Sequence, residues 1–378
     1  MNHRERVLTA LNHQEPDRCP MQVSFTPEFA ARLEADLNLR GQALHNPHGG
    51  GNTYELERAL DEDMLLTSVG WVNGYYQDGY QQLSSYPDEW GVIWRTVEYQ
   101  TRFGAGRYTE PFGHPLADDS ALPGYLPPDP DRPALYADAE RTLHDFHGDY
   151  WIVGVTPTTI FECAWALRGY EQLLIDMATD PDRANRVLDF PFRYHLAVTQ
   201  QLVRLGVDMI WLGDDVGGQK TMLMSPGMWR TYLKPRMAEL IAALRAINPQ
   251  IKIAYHTDGV VYPIIPELIE IGIDILNPIQ PMAMDPVRLK NDFGDRLCFW
   301  GSMDIQQTLP FGTVEDVQNE VLLRLRTIGH GGGLIIGPTH NLQLDTPLEN
   351  FWAMIHTIQK TPCPFPPRGA GAGENGSK

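Results

Sequence analysis

Residues 251–277 read IKIAYHTDGVVYPIIPELIEIGIDILN. An apolar run at 251–255 is followed by a polar loop, a helix-like segment at 262–271 and a second apolar run at 273–277. Neither run alternates strictly between apolar and polar residues, so each reads as a strand buried on both faces. Two such strands joined through a helix must lie parallel, since a tight turn can only reverse direction. Runs of the same kind stand on either side, at 20–24 (PMQVS), 63–68 (DMLLTS), 151–156 (WIVGVT), 208–213 (DMIWLG), 297–301 (LCFWG) and 333–337 (GLIIG).

Helix-like segments fill the intervals at 164–180, 182–205, 226–247, 284–292, 313–329 and 346–360. Thr313-Val-Glu-Asp and Thr346-Pro-Leu-Glu carry capping-box chemistry, and Pro347 suits a first helical turn, where its missing N–H costs nothing. Eight strand–helix units closing on themselves make an α/β fold of the (β/α)8 TIM-barrel kind. An open doubly wound sheet would place a Gly-rich phosphate turn after its first strand, and none stands there. The Gly331–Gly333 run precedes a strand and opens no helix, so it is no phosphate cradle.

The stretch 69–143 breaks the rhythm: it is rich in Gly, Pro, Tyr and Trp, and DEWGVIWRTVEYQTRF within it reads as a two-stranded hairpin. It is expected to be an inserted lid over the barrel mouth, within a single domain spanning 1–360. The tail 361–378 is Pro- and Gly-rich without periodicity and is expected to be disordered.

With 43% hydrophobic and 21% charged residues, the chain can bury a large core. A formal net charge of -18 repels phosphate backbones and anionic bilayers, which argues against nucleic acid and membrane as partners and for a small-molecule substrate. The absence of an apolar membrane span or signal-peptide core predicts a cytoplasmic protein. Cys19, Cys163, Cys298 and Cys363 show no CxxC pairing; Cys19 and Cys298 lie in apolar runs and read as buried small hydrophobes. A homodimer is one possible assembly.

In barrels of this kind the chemistry sits on the loops after the strands. The polar residues found there are Asp214 and Asp215, His256 and Asp258, Asn277, Ser302 and Asp304, and His340. His256, Asp258 and His340 together could hold a catalytic Zn2+ with an open fourth position; the alternative is that the two histidines bind a substrate carboxylate without metal. Asp214 and Asp215 are candidates for acid–base work, or for a loop cap and a partner to Lys220. Gln219 lies on the same loop and is assigned to the substrate. Glu162 reads either as an outer partner of a ligand or as a helix start. Trp71, Tyr75, Tyr76, Trp90 and Trp94 could stack on a planar substrate, or simply pack the lid.

Five segments carry a resemblance over almost the whole chain: RERVLTALNHQEPDRCP, GDDVGGQKTMLMSPGMWRTYLKPRMAELI, YHTDGVVYPIIPELIEIGIDILNPIQ, FWGSMDIQQTLPFGT and GGGLIIGPTHNLQLDTPLENFWAMI. The chain resembles the uroporphyrinogen decarboxylase superfamily, which includes corrinoid- and coenzyme M-dependent methyltransferases. The resemblance favours the methyltransferase-like branch. MQVSFTPEF stands where the true decarboxylases carry an arginine-rich loop, and LLTSVGW stands where they carry a Phe-Ser-Asp-Ile type segment.

In the methyltransferases a His-x-Cys pair and a later Cys bind zinc. Here His256 matches the histidine, Asp258 the first cysteine and His340 the second, so the resemblance implies a His/Asp/His set. The decarboxylases also place a substrate-binding histidine at the position of His340. The expected function is therefore metal-dependent transfer of a methyl group between a small methylated compound and a thiol or a corrinoid carried by a partner protein. In that reading Asn277, Gln280 and Asp304 line the pocket. Decarboxylation of a porphyrinogen-like or other small carboxylic acid is the alternative, and a non-catalytic ligand-binding barrel is a third.

Overall fold

The computed structural model describes residues 1–39, 51–69 and 84–364. Seven parallel strands form one curled sheet: β1 (Met64–Ser68), β5 (Trp151–Thr156), β6 (Met209–Gly213), β7 (Lys252–His256), β8 (Ile275–Asn277), β9 (Cys298–Met303) and β10 (Leu334–Pro338). Helices alternate with them, and the fold is the expected α/β TIM barrel.

The run at 20–24 takes the eighth place without becoming a full strand. It lies along β10, with Gln22 N–H donating to Ile336 O at 3.1 Å and Ile336 N–H to Pro20 O at 2.8 Å. Gly337 permits this approach, because a Cβ there would meet Gln22 O at 2.0 Å. On the other side, Met21 N–H donates to the Asp63 carboxylate and Val23 N–H to that of Glu62. Side-chain oxygens thus replace the ladder carbonyls on that edge, which is why an extended segment closes the barrel where a strand was expected.

Alternation along the strands sorts the core into two shells. Met64, Trp151, Val153, Val155, Met209, Ala254, Ile275, Cys298, Trp300 and Ile335 pack inside the barrel, joined by Leu66 and Trp211. Leu65, Ile152, Ile210, Leu212, Ile253, Tyr255, Leu276, Phe299 and Ile336 face outward under the helices. Cys19 and Cys298 are buried, as their apolar runs predicted, and all four cysteines are free thiols.

The helix expected at 164–180 is divided at Gly169, whose φ of +92° is left-handed, into Phe161–Arg168 and Tyr170–Thr179. That expected at 226–247 is divided into Pro226–Tyr232 and Lys234–Ile247. The Thr313 box forms with Asp316, but Pro347 is the cap residue of helix Leu348–Lys360 and not part of its first turn, and no side-chain cap forms there.

The hairpin is displaced from its expected position. β2 (Ser85–Pro87), β3 (Ile93–Thr101) and β4 (Gly104–Gly113) make a three-stranded antiparallel sheet, so the quoted stretch supplies the turn at 88–92, one strand and the start of a second turn, not two strands. Asp88 explains the shift: its carboxylate accepts from the N–H groups of Trp90 and Val92, bending the chain there into a loop. Helix Ala137–Phe146 occupies the end of the stretch expected to be irregular. Among the described residues, no helix is long and apolar enough to cross a membrane.

Candidate active site

The strand register puts His256 beside both Gly213 and Asn277, at the carboxyl ends of β6, β7 and β8. Asn277 is buried, and its Oδ1 accepts from His256 Nδ1 at 2.7 Å and from Trp211 Nε1 at 3.0 Å, while its Nδ2 donates to Trp300 O at 3.3 Å. Two donors on Oδ1 assign the amide orientation and the imidazole tautomer together. His256 therefore donates through Nδ1, leaving Nε2 for other partners. Nε2 points toward Asp215, 3.8 Å from its Oδ1.

Three glycines bring the β6 and β7 loops into backbone contact. A Cβ on Gly217 would lie 2.3 Å from Asp258 O, and one on Gly259 would lie 2.5 Å from Gly218 O. The loops are tied by Val260 N–H to Gly218 O at 2.8 Å and by Asp258 N–H to Asp215 Oδ1 at 2.7 Å. Asp215, His256 and Asp258 each offer a ligand atom, all within 4.8 Å of one another.

The clustered set differs from the expected metal set in one member. His340 faces His256 edge to face with ring centroids 6.2 Å apart, and among the described residues the clustered ligand set takes Asp215 in its place. The loop after β10 reaches the mouth from the side opposite the β6–β7 loop pair. The residues present suit a divalent cation: one imidazole nitrogen, two carboxylates, and an Asp258 Oδ1 that is buried without a hydrogen-bond partner. Burial and the Asp215 charge, only partly offset by His256, raise the Asp258 pKa. Desolvation by the surrounding protein, opposed by the Asp258 charge, lowers the pKa of His340, which is still exposed at the mouth.

The other expected site residues divide. Asp214 is 2% exposed and turned away from the mouth: its oxygens accept from Ile160 N–H at 2.9 Å and Glu162 N–H at 2.9 Å, at the amino end of helix Phe161–Arg168. Gln280 is buried and accepts from Gly259 N–H at 2.8 Å, bracing the β7 loop. Asp304 folds back on its own turn, accepting from Gln306 N–H at 2.8 Å. Gln219 is exposed, and Trp71, Tyr75 and Tyr76 lie outside the described residues. Glu162 stands beside the cluster, where burial and then the charges of Asp215, Asp214 and Asp258 push its pKa well up.

Asp214 has a consequence for stability against pH. Burial raises its pKa from 3.8 to about 7 despite the backbone N–H donors. The folded state therefore holds a proton that the unfolded chain gives up, so this group's contribution is fully present below 3.8 and lost as pH rises through about 7. Asp214→Asn, neutral throughout, is expected to cost about 1 kcal/mol as a weakened cap and to flatten the decline in melting temperature across that window. Parallel melting curves for the two proteins would show that Asp214 does not carry this proton.

Sequence reading missed much of the wall. The mouth cavity is lined by Gln22, Ser24, Trp211, Trp300, Thr339 and Asn341 together with His256, Asn277 and His340. Trp211 and Trp300 share the inward row with Met209 and Cys298, so counting by twos from the strand cores would have found them.

Residues 112–361 match the family model described as Uroporphyrinogen decarboxylase (URO-D). The chain belongs to the uroporphyrinogen decarboxylase family. Among solved structures, a methyltransferase from Methanosarcina mazei superposes with a TM-score of 0.64 at 19% identity, covering 95% of this chain and 98% of that one. Identity at that level speaks for the shared barrel alone. A B12-independent methionine synthase from a Shewanella species gives a TM-score of 0.43 at 12% identity over 92% of this chain and 95% of that one. No curated protein matches the chain by sequence. Membership of the uroporphyrinogen decarboxylase family makes an enzyme the coarse reading.

Proposed function

We propose that the chain is a metal-dependent methyltransferase, moving a methyl group from a small methylated compound to a thiol or to a corrinoid carried by a partner protein. The observation that carries this reading is the convergence of His256, Asp215 and Asp258 into one N/O/O ligand set at a mouth where no described lysine or arginine lines the cavity. A decarboxylase acting on a polycarboxylate needs cationic clamps, and carboxylates in their place repel such a substrate. A Zn2+ ion held by the three residues would supply Lewis-acid polarisation and favour the thiolate form of a bound thiol.

The chain's own groups have separable tasks. Asn277 holds the His256 ring so that Nε2 faces the ligand cluster, an outer-shell role that also makes the imidazole a better donor. His340 faces His256 across the mouth, and its lowered pKa favours the neutral imidazole, which can accept the proton of a thiol or water. Trp211 and Trp300 make one wall of the cavity and exclude water from it. In the transfer the methyl–heteroatom bond breaks as the acceptor–methyl bond forms, and the heteroatom keeps the electron pair and takes up a proton.

The test is an assay of the zinc-loaded protein with small O-, N- and S-methyl compounds and either a thiol or a reduced corrinoid as acceptor. Methyl transfer that falls by about 100-fold or more in Asp215→Asn is expected, since that charge belongs to the ligand set. Conversion of uroporphyrinogen to coproporphyrinogen at about 1 per second or faster would overturn the assignment.

A further inference from the structure

A second cavity lies between the three-stranded sheet and helix Phe161–Arg168. Its walls include three indoles, Trp90, Trp94 and Trp165, and its polar lining includes two carboxylates, Asp88 and Glu162, with Thr109 and Thr158. No described lysine, arginine or histidine lines it. Asp88 is fixed in place: one oxygen accepts from Trp90 N–H and Val92 N–H at 2.9 Å each, and the other from the Trp94 indole N–H at 2.7 Å. That carboxylate both orients the Trp94 ring and adds negative charge beside it.

Two polar atoms of lining residues, the Thr158 hydroxyl oxygen and Trp90 Nε1, are buried without hydrogen-bond partners. Thr158 also has a left-handed backbone, φ 54°, two residues past the end of β5. The chain's own cations do not occupy these indoles: among the described residues, arginines stack on Phe103, Phe112, Phe146, Tyr54, Tyr262 and Trp151. The cavity is also adjacent to the Asp215–His256–Asp258 cluster. Glu162 lines it, and its backbone N–H donates to Asp214, the neighbour of Asp215.

We propose that this cavity binds a small methylated ammonium, quaternary or tertiary, as its head group. Negative π-faces attract a cation whose charge is spread over methyl groups, and such a cation loses little hydration on entering an apolar box. Asp88 supplies the countercharge that a neutral methyl compound would not need, and it disfavours anions. Service as the methyl donor rests on the methyl-transfer reading above; binding of the cation does not.

The experiment uses the full-length protein, metal-free and zinc-loaded, with tetramethylammonium as probe and tert-butyl alcohol as its neutral isostere. Tryptophan fluorescence and calorimetry read the binding. Saturable binding of tetramethylammonium in both metal states is expected, at least about tenfold tighter than the alcohol, with a loss of about tenfold in Trp165→Leu and retention in Trp165→Phe. Equal affinity for the neutral isostere, or cation binding that disappears on zinc loading, would overturn the assignment. These comparisons hold in wild-type protein even where a tryptophan variant fails to fold. A protein that binds the cation but transfers no methyl keeps this site and removes the donor role.

Discussion

Asp63→Asn is expected to destabilise the protein by about 3–5 kcal/mol, the cost of removing the buried carboxylate that two buried arginines share and leaving them to Asp17 and Asp61 alone. Asp63 is 0% exposed. Its Oδ1 accepts from Arg6 Nη1 at 2.5 Å and from His3 Nδ1 at 3.1 Å, and its Oδ2 accepts from Arg18 Nη1 at 2.6 Å and from Met21 N–H at 2.8 Å. Arg6 and Arg18 are themselves buried. The same carboxylate therefore neutralises two guanidinium groups and ties the 20–24 segment to the start of β1, where the barrel closes.

Burial alone would raise the Asp63 pKa, but the bonds from His3, Arg18 and Arg6 outweigh it and hold it below the usual value of 3.8. For a depressed carboxylate, the contribution is present above the unfolded pKa and lost as pH falls through the folded one. Denaturant unfolding of wild type and Asp63→Asn at neutral pH and on acidification gives both numbers. A difference at pH 7 below about 1 kcal/mol, the level of an ordinary surface change, would mean that the barrel is closed by packing and not by this network.

His256→Ala should abolish stoichiometric binding of Zn2+, whereas His340→Ala should retain it. The first removes a member of the ligand cluster; the second removes a ring that faces the cluster from across the mouth. Asn277→Ala, which frees the His256 ring to turn, is expected to weaken the metal about 10–100-fold. Elemental analysis after dialysis and a Co2+ titration followed by its visible spectrum distinguish the three variants. Equal loss of metal in His340→Ala and His256→Ala would restore the His/Asp/His set and remove Asp215 from it.

Local physics makes part of this legible in a one-dimensional string. Apolar runs spaced by helical segments specify strands buried on both faces, and these have few ways to pack other than a barrel. His256 and Asp258 were legible for the same reason: they follow a strand core directly, and strand ends point to the mouth. Alternation, pursued one step further, also reaches Trp211 and Trp300.

Tertiary structure decided what loops and neighbouring strands do to one another. Asp214 and Asp215 are adjacent and identical in chemistry, yet one turns back to the amide groups at a helix start and the other faces His256. No periodicity distinguishes them, because the choice depends on the N–H groups of Ile160 and Glu162, over fifty positions away in the chain. Asp215 comes within 4.8 Å of His256 and Asp258 because Gly217, Gly218 and Gly259 let two loops touch backbone to backbone, a contact between separate strands. The sequence by itself determined the barrel and the strand ends that carry its chemistry, since burial patterns are local. The direction of each loop carboxylate was decided by hydrogen-bond partners that only the closed barrel brings within reach.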